Sequence, residues 1–235
     1  MMDMLFVLLF AGLAFTLSAS AGLGGSLIMV PALALLLGAK EGIALAALLL
    51  AANNVSKTWF YRQTVPWRQA SLLLVMTMFG TFIGSALLVA APEALVDAAI
   101  VLCLVSAFAL EQRKVSRVRQ GLAPVLALAS GATSGFSGTS GPLKGIAIRS
   151  LDLDRMHLVG AASVISLAGD AIKSAVFAHA QLLDERSLTI ALAAVPLMIG
   201  ASFLGRSINQ AIGERAFAVL FWTVICGYAV RLAIV

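Results

Sequence analysis

The sequence carries little charge for its length. Of its 235 residues, 11% are Asp, Glu, Lys or Arg and 61% are hydrophobic, whereas a soluble domain carries about 25% charged residues. Because so few polar side chains cannot cover a folded chain in water, the composition excludes a soluble globular protein and predicts an integral membrane protein. The net charge of +5 then reflects basic residues in the loops, which are expected to determine how the chain is oriented in the membrane. Nucleic-acid binding is disfavoured, since the basic residues are not interleaved with aromatic ones.

The sequence also lacks paired cysteines and clusters of metal ligands. Cys103 and Cys226 stand alone in apolar runs, which argues against a disulfide framework, a zinc site or another bound cofactor. Both are expected to be small buried hydrophobic side chains. The N-terminus resembles a signal peptide, but Asp3 stands where such a peptide has a basic residue and the apolar run continues. We therefore expect this segment to be retained.

What the sequence does contain is an internal repeat. Shifting the chain by 116 residues aligns it with itself without a gap, and the matches include polar residues and glycines that chance does not favour in so apolar a chain. The clearest pairs are Gly22 with Gly138, Gly25 with Gly141, Asn54 with Asp170, Lys57 with Lys173, and Gly84 with Gly200. We predict two homologous halves, residues 1–115 and 116–235, which together form one membrane domain.

Long uncharged runs predict where the helices lie. Residues 4–39 carry no charge, and as a single helix they would be about 54 Å long, against a hydrocarbon core of about 30 Å. The run must therefore fold back, and the glycines at its centre mark the turn. The expected elements are a hairpin at 4–39 with helices at about 42–61, 69–91 and 95–112, then a hairpin at 120–150 with helices at about 156–179, 187–205 and 214–233.

This order of elements gives the two halves opposite orientations. A hairpin returns the chain to its starting side and three crossings invert it. The predicted fold class is therefore an all-α polytopic membrane protein with two inverted-topology repeats, a design of many secondary transporters. The basic residues on one side are Arg62, Arg68, Arg113, Lys114, Arg117, Arg119, Arg149, Arg155, Arg206 and Arg215, and those on the other are Lys40, Arg186 and Arg231. This excess places both termini outside the cytoplasm.

The glycine-rich turns form the first candidate site. Irregular backbone at membrane depth is tolerated only inside the protein or beside a watery cavity, and a helix that starts there points free N–H groups towards an anion. The second arms of the hairpins are expected to begin at Ser26 and Pro142, and hydroxyl donors accompany the second turn. The turn residues expected to bind an anion at the midplane are Gly22, Gly24, Gly25, Ser26, Ser137, Gly138, Thr139, Ser140 and Gly141.

Two matched lysines form the second candidate site. Lys57 and Lys173 each follow a polar residue by three positions, Asn54 and Asp170 respectively, so that each pair shares a helix face. A cation is costly in a membrane helix, which favours a role for both lysines and for Asn54 in binding the anion. The alternative is that the lysines extend to the membrane surface. Asp170 is either the ion-pair partner of Lys173 or a proton-coupling residue.

Three other features have a possible place in the path. Lys144 has no counterpart in the first half, where Ile28 takes its position; it lines the anion path or extends to the surface. Asn53 joins the polar face of Lys57 or serves helix packing. The small residues of GTFIG (80–84) predict a close approach of two helices.

The motif GLGGSLIMVPAL (22–33) and the motif GATSGFSGTSGPLKGIAI (131–148) resemble the paired signatures of the TauE/SafE sulfite-exporter family. The resemblance covers nearly the whole chain, with one motif opening each half. The matching positions are Gly22, Gly24, Gly25 and Pro31 in the first motif, and Gly135, Gly138, Gly141 and Pro142 in the second. The first motif departs at Ser26, where a third glycine is common, and the second lacks a full Gly-Gly-Gly.

The resemblance implies a bacterial inner-membrane transporter with inverted repeats that moves sulfite, sulfonates or other small anions. We therefore favour a secondary transporter working in the direction of export, whose partners are a small anion and the lipid bilayer. A passive anion channel of the same architecture is the alternative. An intramembrane serine protease, with Ser137 of GFSG as nucleophile and His179 as base, is disfavoured because His179 lies near a helix end. The chain is therefore not expected to be an enzyme, and the sequence leaves the anion and the oligomeric state open.

Overall fold

The computed structural model describes residues 25–112, 120–140 and 143–207, together with positions 8, 12, 15, 16, 219, 222, 223 and 226–228. Within these residues the chain is helical and contains no strand. The helices are α1 (Ser26–Leu37), α2 (Ala39–Tyr61), α3 (Trp67–Ala90), α4 (Glu93–Gln112), α5 (Ala123–Ser137), α6 (Leu143–Arg149), α7 (Arg155–His179) and α8 (Glu185–Ser207). Short 3₁₀ helices at Arg62–Thr64 and Gln120–Leu122 precede α3 and α5.

Some of the expected elements lie outside the described residues. These are the span at 214–233 apart from a few positions, most of the arm at 4–24, the linker at 113–119, and the dipeptide at 141–142. Helix α1, which has 12 residues, covers the expected second arm of the first hairpin, and α5, which has 15, covers the expected first arm of the second. Both are shorter than the roughly 20 residues that a full crossing needs.

Three helices in the described part of the chain are long and apolar enough to cross a membrane. They cover Ala39–Thr64, Trp67–Ala90 and Met156–His179. The outward face of α3 carries large apolar side chains that are more than half exposed, such as Phe79 and Phe82. Because so large an apolar surface is stable against lipid and not against water, the chain is a multi-pass membrane protein.

Helices α3 and α5 cross with their backbones in direct contact. A β-carbon added at Gly84 would lie 2.1 Å from the carbonyl oxygen of Ala132, and one added at Gly131 would lie 2.2 Å from that of Thr77. Gly80 and Gly135 are equally close to the opposite helix. Each helix therefore presents two glycines four residues apart, the arrangement that lets membrane helices approach most closely.

The apolar core is divided into two clusters. The first joins α1, α2 and α4 and includes Leu33, Ile43 and Ile100, all fully buried. The second joins α3, α5, α6 and α7 and includes Leu73 and Ile165. The polar side chains of the candidate site belong to neither cluster. Their positions are set by the helices that carry them, and the two clusters hold these helices together.

Helix α7, which supplies the charged residues of the site, begins at a carboxylate cap. The side chain of Asp154 accepts hydrogen bonds from the backbone N–H groups of Met156 and His157. The bonds from His157, above all from its backbone N–H, lower the pKa of Asp154, because they stabilise the charged carboxylate. A charged cap of this kind fixes where the helix starts, and with it the register of every side chain along α7.

Candidate functional site

Asp170 lies at the centre of a polar face on α7. Its Oδ1 accepts from the Nζ of Lys173 at 2.7 Å, and its Oδ2 accepts from the Nδ2 of Asn54 on α2 at 2.7 Å. Asp170 is 7% exposed and Lys173 is 1% exposed. Both carboxylate oxygens therefore have a buried partner, and the charge of Asp170 is compensated by that of Lys173.

Lys173 links α7 to the end of α5 and to the turn that follows it by hydrogen bonds. Besides Asp170, its Nζ donates to the Oγ of Ser134 at 3.2 Å and makes a long contact, 3.5 Å, with the carbonyl oxygen of Gly138. An ammonium has three protons to donate, and these three acceptors use all of them. The side chain is buried rather than extended to the membrane surface, so the alternative of a surface-seeking lysine does not hold here.

The turn after α5 begins with a glycine in a left-handed conformation. Gly138 has φ +77°, a value that residues with a side chain rarely adopt, and a β-carbon there would lie 2.8 Å from a methyl group of Val30 on α1. The following residue, Thr139, has its Oγ1 3.3 Å from the Oγ of Ser26, the first residue of α1. The start of α1 and the turn after α5 thus come into contact through these two hydroxyl groups.

A polar cavity opens beside this turn, between α3, α5, α6 and α7. The space that it encloses is small, about the size of one water molecule, and it is open at its mouth. Six of its lining residues carry hydroxyl groups, and two are charged, Lys144 and Asp170. The complete lining is Thr77, Thr81, Ser130, Ser134, Ser140, Lys144, Ile165, Ser166, Gly169 and Asp170.

Several hydrogen-bond donors of the cavity wall have no acceptor among the described residues. Lys144 donates to the Oγ of Ser166 at 2.8 Å, which leaves two of its protons without a partner among the described residues. Thr81 is fully buried, and its Oγ1 has no partner in the part of the chain that the structure describes. Ser134 and Ser166 accept from lysines, so their own hydroxyl protons remain available.

The cavity lining contains only part of the residues predicted from the sequence. Ser140, Lys144 and Asp170 line it directly. The predicted residues that lie next to it, through contacts with Asp170 or within the turn, are Ser26, Asn54, Ser137, Gly138, Thr139 and Lys173. Gly22, Gly24 and Gly141 lie outside the described residues.

Three predicted residues are at the edge of this arrangement. Gly25 precedes α1, and its carbonyl oxygen accepts from Met29. Asn53 is buried on α2. Lys57 is half-buried one turn after Asn54, within electrostatic range of Asp170, and it forms no hydrogen bond or ion pair within the described ranges.

The hydroxyl residues of the helices were not predicted as site residues. Thr77 and Thr81 on α3, and Ser130 and Ser134 on α5, are spaced four residues apart and therefore lie on one face of each helix. That spacing is visible in the sequence. It is ambiguous there, because a Ser or Thr in a membrane helix commonly donates to the carbonyl of the preceding turn, as Thr133 and Ser163 do here.

The arrangement does not resemble a hydrolytic or metal site. The hydroxyl of Ser137 donates to the carbonyl oxygen of Thr133 at 2.8 Å and lies beside the thiol of Cys103. No histidine contacts Ser137 within the described residues. In the same part of the chain, no group of three or more His, Cys, Asp or Glu side chains is placed to hold a metal ion.

A multi-pass helical protein with a buried, donor-rich cavity belongs to the class of membrane transport proteins. The family model described as Sulfite exporter TauE/SafE matches residues 6–232. The chain therefore belongs to the TauE/SafE sulfite-exporter family, a family of transporters, as the resemblance of its two motifs predicted. No curated protein and no solved structure matches the chain.

Proposed function

We propose that the chain is a secondary transporter that exports a small anion, such as sulfite or an organosulfonate, across the bacterial inner membrane. The observation that carries the proposal is that several hydrogen-bond donors in the cavity wall have no acceptor among the described residues. Lys144, Thr81, Ser134 and Ser166 each have protons free for a solute, whereas both oxygens of Asp170 already accept hydrogen bonds. A solute that brings several acceptor oxygens and a negative charge satisfies such a site.

Within this proposal the charged residues have different roles. Lys144 contacts the anion, because it lines the cavity and has protons to spare. Lys173 positions the turn, because its protons are used by Asp170, Ser134 and Gly138. Asp170 compensates Lys173, and this ion pair favours a structural role over proton coupling. Lys57 attracts the anion from the edge of the site.

The inverted repeat is part of the proposal and has two supporting observations. The hydrogen bond between Asn54 and Asp170 joins positions 116 residues apart, which is the offset that aligns the two halves. If a two-fold axis relates the halves, a contact between equivalent residues lies on that axis, where inverted-repeat transporters bind their substrates. The hydroxyl contact between Ser26 and Thr139 brings the two hairpins together near the same place.

A passive channel remains the alternative to a carrier, and transport kinetics distinguish the two. The purified chain is reconstituted into liposomes, and sulfite efflux is measured under a membrane potential. An anion gains about 2.3 kcal/mol per charge per 100 mV when it moves outward, so export can proceed without a coupled ion. Saturable efflux that is stimulated by sulfite on the opposite side supports a carrier. Flux that rises linearly with concentration supports the channel, and no flux above that of empty liposomes for sulfite or methanesulfonate contradicts the proposed function.

A further inference from the structure

The charges in the cavity wall add up to one uncompensated positive charge. Lys144 and Asp170 are the two charged lining residues. Asp170 forms an ion pair with Lys173, whose nitrogen lies 2.7 Å from Oδ1 and whose side chain is 1% exposed. The pair is therefore neutral as a unit. Lys144 contacts only the neutral hydroxyl of Ser166 among the described residues, so its charge faces the cavity without a counter-charge.

The remaining lysine near the site, Lys57, does not belong to the wall. It lies on α2, outside the lining, is largely withdrawn from solvent, and acts on the site through an electric field that reaches both Asp170 and Lys144. A charge that lies outside the lining attracts a bound solute less than one in contact with it, because the interaction falls with distance. The local charge that a bound solute meets is therefore that of Lys144.

One positive charge favours a solute with one negative charge. The free-energy cost of removing an ion from water rises with the square of its charge, so a dianion pays about four times the cost of a monoanion of the same size. The attraction to a single lysine rises only in proportion to the charge. The hydroxyl groups of Thr81, Ser134 and Ser166 donate hydrogen bonds but bring no charge that could offset this difference.

We propose that the cavity selects singly charged oxyanions, such as hydrogensulfite and alkyl sulfonates, over doubly charged ones, such as sulfate. The inference rests on the proposed function, in that it takes the cavity to be the anion site. It adds a rule for the charge of the substrate, and it names Lys144 and the neutral Asp170–Lys173 pair as the residues that set this rule.

The test compares two anions of similar shape. Methanesulfonate carries one negative charge and sulfate carries two, and neither changes its charge near neutral pH. Binding of each to the full chain in detergent is measured by calorimetry at matched ionic strength. We expect methanesulfonate to bind at least about tenfold more tightly than sulfate, because an uncompensated charge in a site of low polarity has an effect of that order or larger. Tighter binding of sulfate would overturn the inference and leave the anion site intact, whereas binding of neither anion would contradict the proposed function itself.

Charge variants test the rule within the protein. Asp170→Asn releases the charge of Lys173 and raises the charge of the wall, so the preference for methanesulfonate over sulfate should fall by about tenfold. The double variant Asp170→Asn with Lys173→Gln removes the pair as a unit and keeps the wall charge set by Lys144. Because it also releases the turn at Gly138, it should weaken the binding of both anions but retain the wild-type order of the two affinities. Since the single variant leaves a buried lysine unpaired and is at risk of misfolding, Lys144→Gln serves as a second test. It should weaken the binding of both anions, and unchanged binding of both would overturn the inference.

Discussion

At the scale of the residue, the buried hydroxyl of Thr81 is the most informative group in the site. It is fully buried, lines the cavity, and has no partner within the described residues. A buried polar group without a partner costs about 1–3 kcal/mol, and a bound anion would supply the missing acceptor. We expect Thr81→Val to weaken anion binding by about tenfold, the equivalent of about 1.4 kcal/mol, with affinity measured by calorimetry.

A neighbouring threonine provides the matched control for this change. The hydroxyl of Thr77, one turn earlier on α3, already donates to the carbonyl oxygen of Ala127, so Thr77→Val should change affinity much less. Thr81→Ser, which keeps the hydroxyl, should restore most of the affinity. Equal losses in the two valine variants would show that the polarity of α3, and not the free hydroxyl, determines binding.

The two matched lysines lead to a second prediction at this scale. We expect Lys57→Ala and Lys173→Ala each to abolish sulfite efflux from liposomes while leaving the protein inserted. Loss of Lys173 leaves Asp170 as an uncompensated buried charge and releases the turn at Gly138, and loss of Lys57 removes the cation at the edge of the site. Arg68→Ala, at an exposed position on α3, should leave efflux unchanged. Normal efflux in both lysine variants would remove these lysines from the mechanism.

The sequence identified the charged part of the site better than its neutral part. Lysines and a carboxylate in an apolar helix are rare enough to attract attention by themselves, and Lys144, Lys173 and Asp170 lie in or beside the cavity. Serines and threonines are not rare in membrane helices and commonly satisfy themselves within their own helix. Thr81 could therefore be recognised only after the structure showed that its hydroxyl is unpartnered.

At the scale of the element, the crossing of α3 and α5 determines how the cavity wall is built. The glycines of GTFIG lie at this crossing, as their spacing predicted, and the opposite glycines, Gly131 and Gly135, approach equally closely. Nothing in the sequence indicates that these two segments are partners, since they are about 50 residues apart. That pairing depends on the arrangement of the whole chain.

A substitution at this crossing should destabilise the protein more than one elsewhere. At Gly84 a β-carbon would lie 2.1 Å from a backbone oxygen of α5, which cannot move aside as a flexible side chain can. We expect Gly84→Ala to cost about 1–3 kcal/mol, the usual range for an overpacked core, and to lower the melting temperature in detergent. Gly200→Ala is the matched control, because Gly200 has the equivalent position in the second half and open space around it. Equal melting temperatures for the two variants would be inconsistent with the backbone contact.

At the scale of the whole molecule, orientation in the membrane is the property that the sequence predicts most directly. From the excess of basic residues we expect the connection at Arg62–Thr64 to lie in the cytoplasm and the start of α8 to lie on the opposite side of the membrane. Single cysteines at the exposed positions Gln63 and Glu185 test this, in a background where Cys103 and Cys226 are replaced by serine. A membrane-impermeant maleimide applied to intact cells should label Glu185→Cys and spare Gln63→Cys. The reverse pattern would invert the proposed topology and, with it, the direction from which the cavity opens.

The two halves differ at the site more than their alignment suggests. The second half contributes Lys144, Ser166 and Asp170 to the cavity, whereas the equivalent positions in the first half are Ile28, Leu50 and Asn54. Ile28 is fully buried in the apolar core and Leu50 is largely buried there. The alignment of the sequence with itself therefore does not predict which of two matched positions is polar, because that depends on single residues and not on the shared pattern.

The crossing of α3 and α5 and the contact between Ser26 and Thr139 differ in how easily each can be broken. Because the two helices touch at four glycines, no side chains lie between them that could repack. We therefore expect α3 and α5 to move together as one rigid unit. Beside the cavity, the start of α1 contacts the turn after α5 through the hydroxyl groups of Ser26 and Thr139, a polar contact that water or an incoming oxyanion could replace. We therefore expect a motion that exposes the solute to alternate faces of the bilayer to separate α1 from this turn and to leave the crossing of α3 and α5 intact.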